Sequence, residues 1–141
     1  MLRILHLEDS LADRELIERA LKRQSPDHEV WWATNQTAFT TILEKVPFDV
    51  VLCDGGTPEF DGKEALELVR KRQPKAAFIF VTGHAEGPVF EKLKRLNADA
   101  VFSKDDLPLV GKRIIDALGT RSVGVGRRET TVSRTTQRSD F

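Results

Sequence analysis

The chain has 141 residues, 40% hydrophobic and 31% charged, the balance of one globular domain rather than a fibre or a disordered polymer. Lys plus Arg equals Asp plus Glu at 22 each, so no bulk charge draws it to nucleic acid or acidic lipid. The single Cys53 excludes an internal disulfide, and the lack of a leader or a membrane-length apolar run makes the cytoplasm the expected setting.

Arg3-Ile4-Leu5-His6-Leu7 reads as a buried strand that ends on Glu8-Asp9-Ser10. Ser10 with Asp13 three residues on fits a capping box, opening a helix with Ala12, Leu16, Ile17, Ala20 and Leu21 as its apolar face. Ser25-Pro26-Asp27 ends it. Residues 29–33 form a short strand whose adjacent Trp31 and Trp32 point to opposite faces, leaving one of them partly uncovered. A second helix carries Ala38, Phe39, Ile42, Leu43 and Val46 and stops before Pro47. The run Val50-Val51-Leu52-Cys53-Asp54 then climbs through apolar residues to a carboxylate, followed by Gly55-Gly56 and Pro58. An unbroken apolar run of this kind is a strand covered on both faces, central in a parallel sheet.

Gly62 opens a helix with Ala65, Leu66 and Val69 inside, ending near Gln73-Pro74. A fourth strand, Ala77 to Val81, closes on Thr82-Gly83; Val89, Phe90, Leu93 and Leu96 mark the next helix. A fifth strand over 100–102 ends on Ser103-Lys104, and Leu107, Val110, Ile114 and Leu118 complete the last helix. Strict alternation of strand and helix predicts a single doubly wound (βα)5 α/β domain of flavodoxin-like type over residues 1–118, with strand order 2-1-3-4-5. Residues 119–141 are poor in large apolar side chains and hold five arginines against Glu129 and Asp140, a net +3 that leaves residues 1–118 at −3. Such a stretch is expected to be a flexible basic tail or linker.

In this architecture the carboxyl ends of all the strands open on one edge, where ligands bind. That edge receives Glu8 and Asp9 from strand one, Asp54 from strand three, Thr82 from strand four and Lys104 from strand five. One Asp after a strand is commonly a turn cap; five polar groups from four strand ends are not explained that way. Three carboxylates roughly 5 Å apart repel by about 3 kcal/mol per pair at an effective dielectric near 20, so the cluster binds protons or a cation. Oxygen donors alone select a hard ion, Mg²⁺ or Mn²⁺, and no His/Cys cluster suggests zinc. Lys104 and Thr82 suit an anion with several oxygens beside the metal, which makes Asp54 a candidate nucleophile for a phosphoryl group. Gly55-Gly56 lets the backbone approach that group and turn a carbonyl toward the ion.

These residues resemble the receiver domain of two-component response regulators over about residues 2–118, in the form associated with hybrid sensor kinases. Glu8-Asp9 resembles the family's acidic pair, Asp54 its phosphoacceptor with Pro58 four residues later, Thr82 its switch hydroxyl and Lys104 its lysine after strand five. The resemblance implies a phosphorylation switch rather than a turnover enzyme. A histidine kinase or histidine phosphotransfer protein donates to Asp54, Asp9 and Asp54 bind Mg²⁺ directly, Glu8 binds it through water, and the Gly56 carbonyl completes the protein ligands. Lys104 and Thr82 then hold the phosphoryl oxygens, slow autodephosphorylation resets the switch, and output passes to a docked protein target or a homodimer. No room for a DNA-binding output domain is expected after residue 118.

The chain departs from the family pattern in three places. Val101 stands where many receivers carry a switch aromatic, and the adjacent Phe102 faces the other side of the strand. Asp105 replaces the proline that usually follows the lysine, so a different loop is expected there. His84-Ala85-Glu86-Gly87-Pro88 suggests a re-shaped loop after Thr82. Of the remaining chemical side chains, His6 reads as a packed core histidine, His28 as a solvated turn residue and Cys53 as a small hydrophobe. His84, Thr57 and Glu59 lie in loops near the site, with two readings open: plain loop residues, or groups that tune the lifetime of a phosphoryl group on Asp54 or, for His84, donor access.

A haloacid-dehalogenase-type phosphatase needs a second acid two residues after the nucleophile, where this chain has Gly56. A flavin carrier needs a phosphate cradle where Glu8-Asp9 would repel one. The remaining alternative is a degenerate receiver that acts as a phosphorylation-independent interaction module.

Overall fold

In a computed structural model that describes residues 1–24, 27–55, 61–83 and 87–123, the apolar runs become β1 (Leu2–Leu7), β2 (His28–Ala33), β3 (Val50–Asp54), β4 (Ala77–Thr82) and β5 (Ala100–Ser103). They form one parallel sheet in the order β2-β1-β3-β4-β5. Helices α1 (Leu11–Gln24), α2 (Gln36–Lys45), α3 (Gly62–Arg72), α4 (Pro88–Lys94) and α5 (Val110–Val123) connect and cover the strands, with a 3₁₀ segment, Lys104–Leu109, leading into α5. This is the doubly wound flavodoxin-like arrangement that the alternation predicts. No helix among the described residues is long and apolar enough to cross a membrane.

Alternation along the strands divides the core in two. Leu5, Leu7, Val51, Cys53, Phe78 and Phe80 face α2, α3 and α4, against Phe39, Leu43, Ala65, Leu66, Val69 and Leu93. Ile4, Val50, Leu52, Ile79, Val81 and Phe102 face α1 and α5, against Ile17, Leu21, Ile114 and Ala117. Val101 packs into the first layer and Phe102 into the second, as their adjacency requires. Of the two tryptophans, Trp31 is the more open at 37% exposure, edge-on to Phe48.

Aspartates set the strand entrances. Asp49 donates its N–H to the Arg3 carbonyl (2.9 Å) and accepts from the Arg3 N–H at Oδ2 (3.0 Å), fixing β3 against β1. Asp99 repeats this at β4: its N–H donates to the Phe78 carbonyl (2.9 Å), and its Oδ2 accepts from the Phe78 N–H (2.7 Å). Asn35 and Asp61 cap α2 and α3 by accepting from Ala38 N–H (2.8 Å) and Lys63 N–H (2.9 Å).

Two expectations are corrected, and one glycine gains a packing role. Ala12 and Leu16 do not belong to the buried face of α1: both are exposed, Leu16 at 46%. The inward stripe is Ile17, Ala20 and Leu21, and one turn before Ile17 it reaches Asp13, whereas Leu16 lies about 100° away around the helix. The last helix continues to Val123 instead of ending at Leu118. An anchored helix gains one hydrogen bond per added residue, enough to carry it past Gly119 despite a propensity penalty of about 1 kcal/mol. Gly55 serves packing: a Cβ there would meet Leu93 Cδ1 at 2.3 Å. Gly56, Thr57, Pro58, Glu59, His84 and residues 124–141, the bulk of the expected tail, lie outside the described residues.

Candidate functional site

The sheet delivers its polar groups to the edge where the strands end. β1 runs directly into Glu8 and Asp9, β3 ends on Asp54, β4 on Thr82, and Lys104 follows β5. One carboxylate oxygen from each of Glu8, Asp9 and Asp54 lies within 4.8 Å of the others. Asp9 is exposed, while Glu8 and Asp54 are buried, so the cluster has a closed floor and one open side.

Lys104 reaches over this floor. Its Nζ is 3.0 Å from Glu8 Oε1, 3.4 Å from Asp54 Oδ2 and 2.5 Å from Asp13 Oδ2. Asp13 is the member of the site that its sequence context assigns instead to a helix cap. Ser10 Oγ does accept from the Asp13 N–H (3.3 Å), as a cap should. The reciprocal bond of a capping box is not made: the Ser10 N–H donates to Glu8 Oε2 (3.3 Å), and the Asp13 carboxylate turns to Lys104. The signal available in the sequence was helical phase, since Asp13 stands four residues before buried Ile17 on the same stripe.

Burial, then the hydrogen bond that a protonated Glu8 donates to Asp54 and the Asp54 charge, raises the Glu8 carboxyl to about 7 against the opposing pull of Lys104. For Lys104, burial works to lower the pKa, but hydrogen bonds to Asp13 and Glu8 and the charge of Asp54 outweigh it and hold the ammonium well above its usual range. Lys104 is therefore charged at any physiological pH. At an effective dielectric near 20, the difference between 2.5 and 3.4 Å favours Asp13 over Asp54 by roughly 1–2 kcal/mol of Coulomb energy.

Below this layer lies His6, fully buried, with neither ring nitrogen hydrogen-bonded among the described residues. Burial, then the charges of Lys104 and Arg14, lowers its pKa to about 3, so it is neutral. Its ring meets Trp32 at 5.0 Å between centroids, and the Arg14 guanidinium lies 4.5 Å from the centre of the same indole. His6 is thus the packed core histidine expected. Cys53 is fully buried, and burial first, then the charge of Asp54, pushes its thiol pKa up.

Thr82 is buried at the end of β4, one residue past Val81, the register partner of Asp54, and pairs with Ser103 across β5. No hydrogen bond joins it to the carboxylates among the described residues. After Lys104, Ser103 Oγ accepts from the Asp105 N–H (3.0 Å), and the chain turns into the 3₁₀ segment.

A model of the response regulator receiver domain matches residues 4–114. The chain belongs to that family. Two curated relatives mark the range. The sensor kinase CckA of Brucella abortus is 37% identical over 101 residues, 70% of this chain and 10% of the kinase. The chemotaxis protein CheY of Listeria monocytogenes is 28% identical over 119 residues, 84% of this chain and 96% of CheY. The receiver therefore spans a tenth of the length of the first relative and nearly all of the second. Among solved structures, a CheY-like receiver domain from Methanospirillum hungatei superposes with a TM-score of 0.73 at 25% identity, covering 88% of this receiver and 98% of that chain. This is a receiver domain of two-component signalling, and its acidic cluster has the oxygen donors that suit a hard divalent cation.

Proposed function

We propose that this receiver accepts a phosphoryl group on Asp54 from a phosphohistidine with Mg²⁺ (or Mn²⁺) bound, and signals by docking to other proteins. The observation that carries the reading is the arrangement around Asp54: two further carboxylates within 4.8 Å and an ammonium at 3.4 Å. Asp9 and Asp54 would hold the ion directly, with Glu8 behind them and the Gly56 carbonyl, carried by the resemblance alone, as a further ligand. When bound, the ion supplies two positive charges that offset the carboxylate repulsion and the charge on the incoming phosphoryl oxygens.

An Asp54 oxygen attacks phosphorus and forms the new O–P bond. The P–N bond to the donor histidine breaks, and its electron pair returns to the imidazole nitrogen, which takes a proton. Lys104 offsets charge on the transferred group, and Thr82 donates its hydroxyl to another phosphoryl oxygen. The donor is a histidine kinase or histidine phosphotransfer protein in the cytoplasm, a reading supported by the likeness to a sensor kinase. Hydrolysis of the acyl phosphate resets the switch slowly, so the domain acts as a switch rather than a turnover enzyme.

Incubation with Mg²⁺ and acetyl phosphate is expected to add one phosphoryl mass, read by intact mass spectrometry. Asp54→Asn and chelation of the metal are each expected to abolish the gain. No gain under conditions that label a control receiver would sink the proposal and favour the degenerate module.

A further inference from the structure

Lys104 has three N–H donors, and in the resting protein three carboxylates surround them, with Asp13 nearest and Asp54 farthest. We propose that Asp13 is a latch: it holds Lys104 more closely than Asp54 does in the resting protein and releases it when a phosphoryl group arrives, so that the first turn of α1 reports the modification. The inference rests on the reading of Asp54 as phosphoacceptor.

A phosphoryl group on Asp54 brings strong acceptor oxygens to the contact that Lys104 makes most loosely. The three donors of Lys104 already face three carboxylates, so a turn toward these stronger acceptors loosens at least one of the present contacts. Glu8 is buried, so no water can take the place of Lys104 there. The Asp13 side chain is 33% exposed and can exchange Lys104 for water. Asp13 is therefore the partner that lets go.

The consequence of release depends on where Asp13 sits. It stands in the first turn of α1, which packs against both the 3₁₀ segment that begins with Lys104 and α5. The Asp13–Lys104 pair is thus a tie across the α1 side of the site. The next residue, Arg14, rests on Trp32 with its Nε buried and without a hydrogen bond among the described residues, so that contact depends on the position of the helix turn. Release of Asp13 therefore changes the surroundings of Trp32. This route runs through the layer of α1 and α5, on the opposite face of the sheet from Val101, and needs no switch aromatic.

Three forms of the full chain test the latch: wild type, Asp13→Asn and Asp13→Glu. Beryllium fluoride with Mg²⁺ mimics the phosphoryl group, NMR reads the Lys104 ammonium and the amides of residues 11–16, and fluorescence reads the tryptophans. In wild type, the mimic is expected to shift the Lys104 ammonium, the first-turn amides and the emission together. In Asp13→Asn, the Lys104 signal should already lie toward its activated position before addition, and acetyl phosphate should label Asp54 about 3- to 10-fold faster. Asp13→Glu, which keeps the carboxylate, should return the rate to within about twofold of wild type. First-turn amides that stay silent while Lys104 shifts would overturn the latch without involving any variant, as would an Asp13→Asn labelling rate equal to wild type. A wild-type protein that gains no phosphoryl mass would instead overturn the phosphoacceptor reading and the release with it.

Discussion

His6 and Glu8, two residues apart on one side of β1, pull the stability of the protein in opposite directions as pH changes. His6 has a folded-state pKa of about 3 against an ordinary 6.5, so between those values the unfolded chain binds the extra proton and stability rises with pH. Glu8 has a folded-state pKa of about 7 against 4.5; in that window the folded protein holds the extra proton and stability falls as pH rises. The spans correspond to upper limits of about 5 and about 3 kcal/mol, and they overlap between pH 4.5 and 6.5. Wild type is therefore expected to show a shallow profile across the overlap. Urea midpoints measured from pH 4.5 to 6.5 should fall with pH in His6→Leu and rise in Glu8→Gln. Profiles parallel to wild type in both variants would remove the assignment of these shifts.

At the scale of elements, the fold depends on small clamps between neighbours. Gly55 lets the end of β3 pass under Leu93 of α4, where a methyl group would come within 2.3 Å of a side-chain carbon. Gly55→Ala is expected to destabilise the domain by about 1–3 kcal/mol, and Leu93→Ala in the same chain to recover part of that loss. A double variant as unstable as the sum of the two singles would show that the contact is not the cause. Gln73 clamps another junction: its amide donates to the Leu43 and Val46 carbonyls at 2.8 and 2.7 Å and accepts from the Phe48 N–H at 2.8 Å, tying the end of α2 to the approach to β3. Gln73→Ala leaves these groups without that partner, and chemical denaturation should read a loss of about 1–3 kcal/mol.

For the whole molecule, one sheet supports both helical layers, so the two halves of the core are built on the same strands and stand or fall together. Ile17→Ala in the α1/α5 layer and Phe39→Ala in the α2–α4 layer should each cost about 2–5 kcal/mol, and unfolding should remain one transition followed alike by fluorescence and circular dichroism. Separate melting of the α1/α5 layer in Ile17→Ala would contradict this. The same construction explains why the site is stiff on its floor and open to change at its rim. Glu8 and Asp54 extend from strands packed on both faces, whereas Asp13 sits on a helix held from one side.

Local signals in the chain were enough for the strand order and for the company that Asp54 keeps. Apolar runs and turn residues mark each element, and a parallel sheet with right-handed crossovers sends every strand end to one edge, so Glu8, Asp9, Asp54, Thr82 and Lys104 were legible as a group. Strand periodicity is strict, which also placed Val101 and Phe102 on opposite faces. The roles of Asp13, Gly55 and Leu16 emerged only from the packed molecule. Asp13 read as half of a capping box and proved to be the nearest partner of Lys104, Gly55 makes room for a helix that comes two crossovers later in the chain, and Leu16 faces outward. Those outcomes depend on how α1 is rotated against the sheet and how closely α4 approaches β3. Such quantities are set by packing between segments distant in sequence, and of the three residues only Asp13 left a local trace, its helical phase with Ile17.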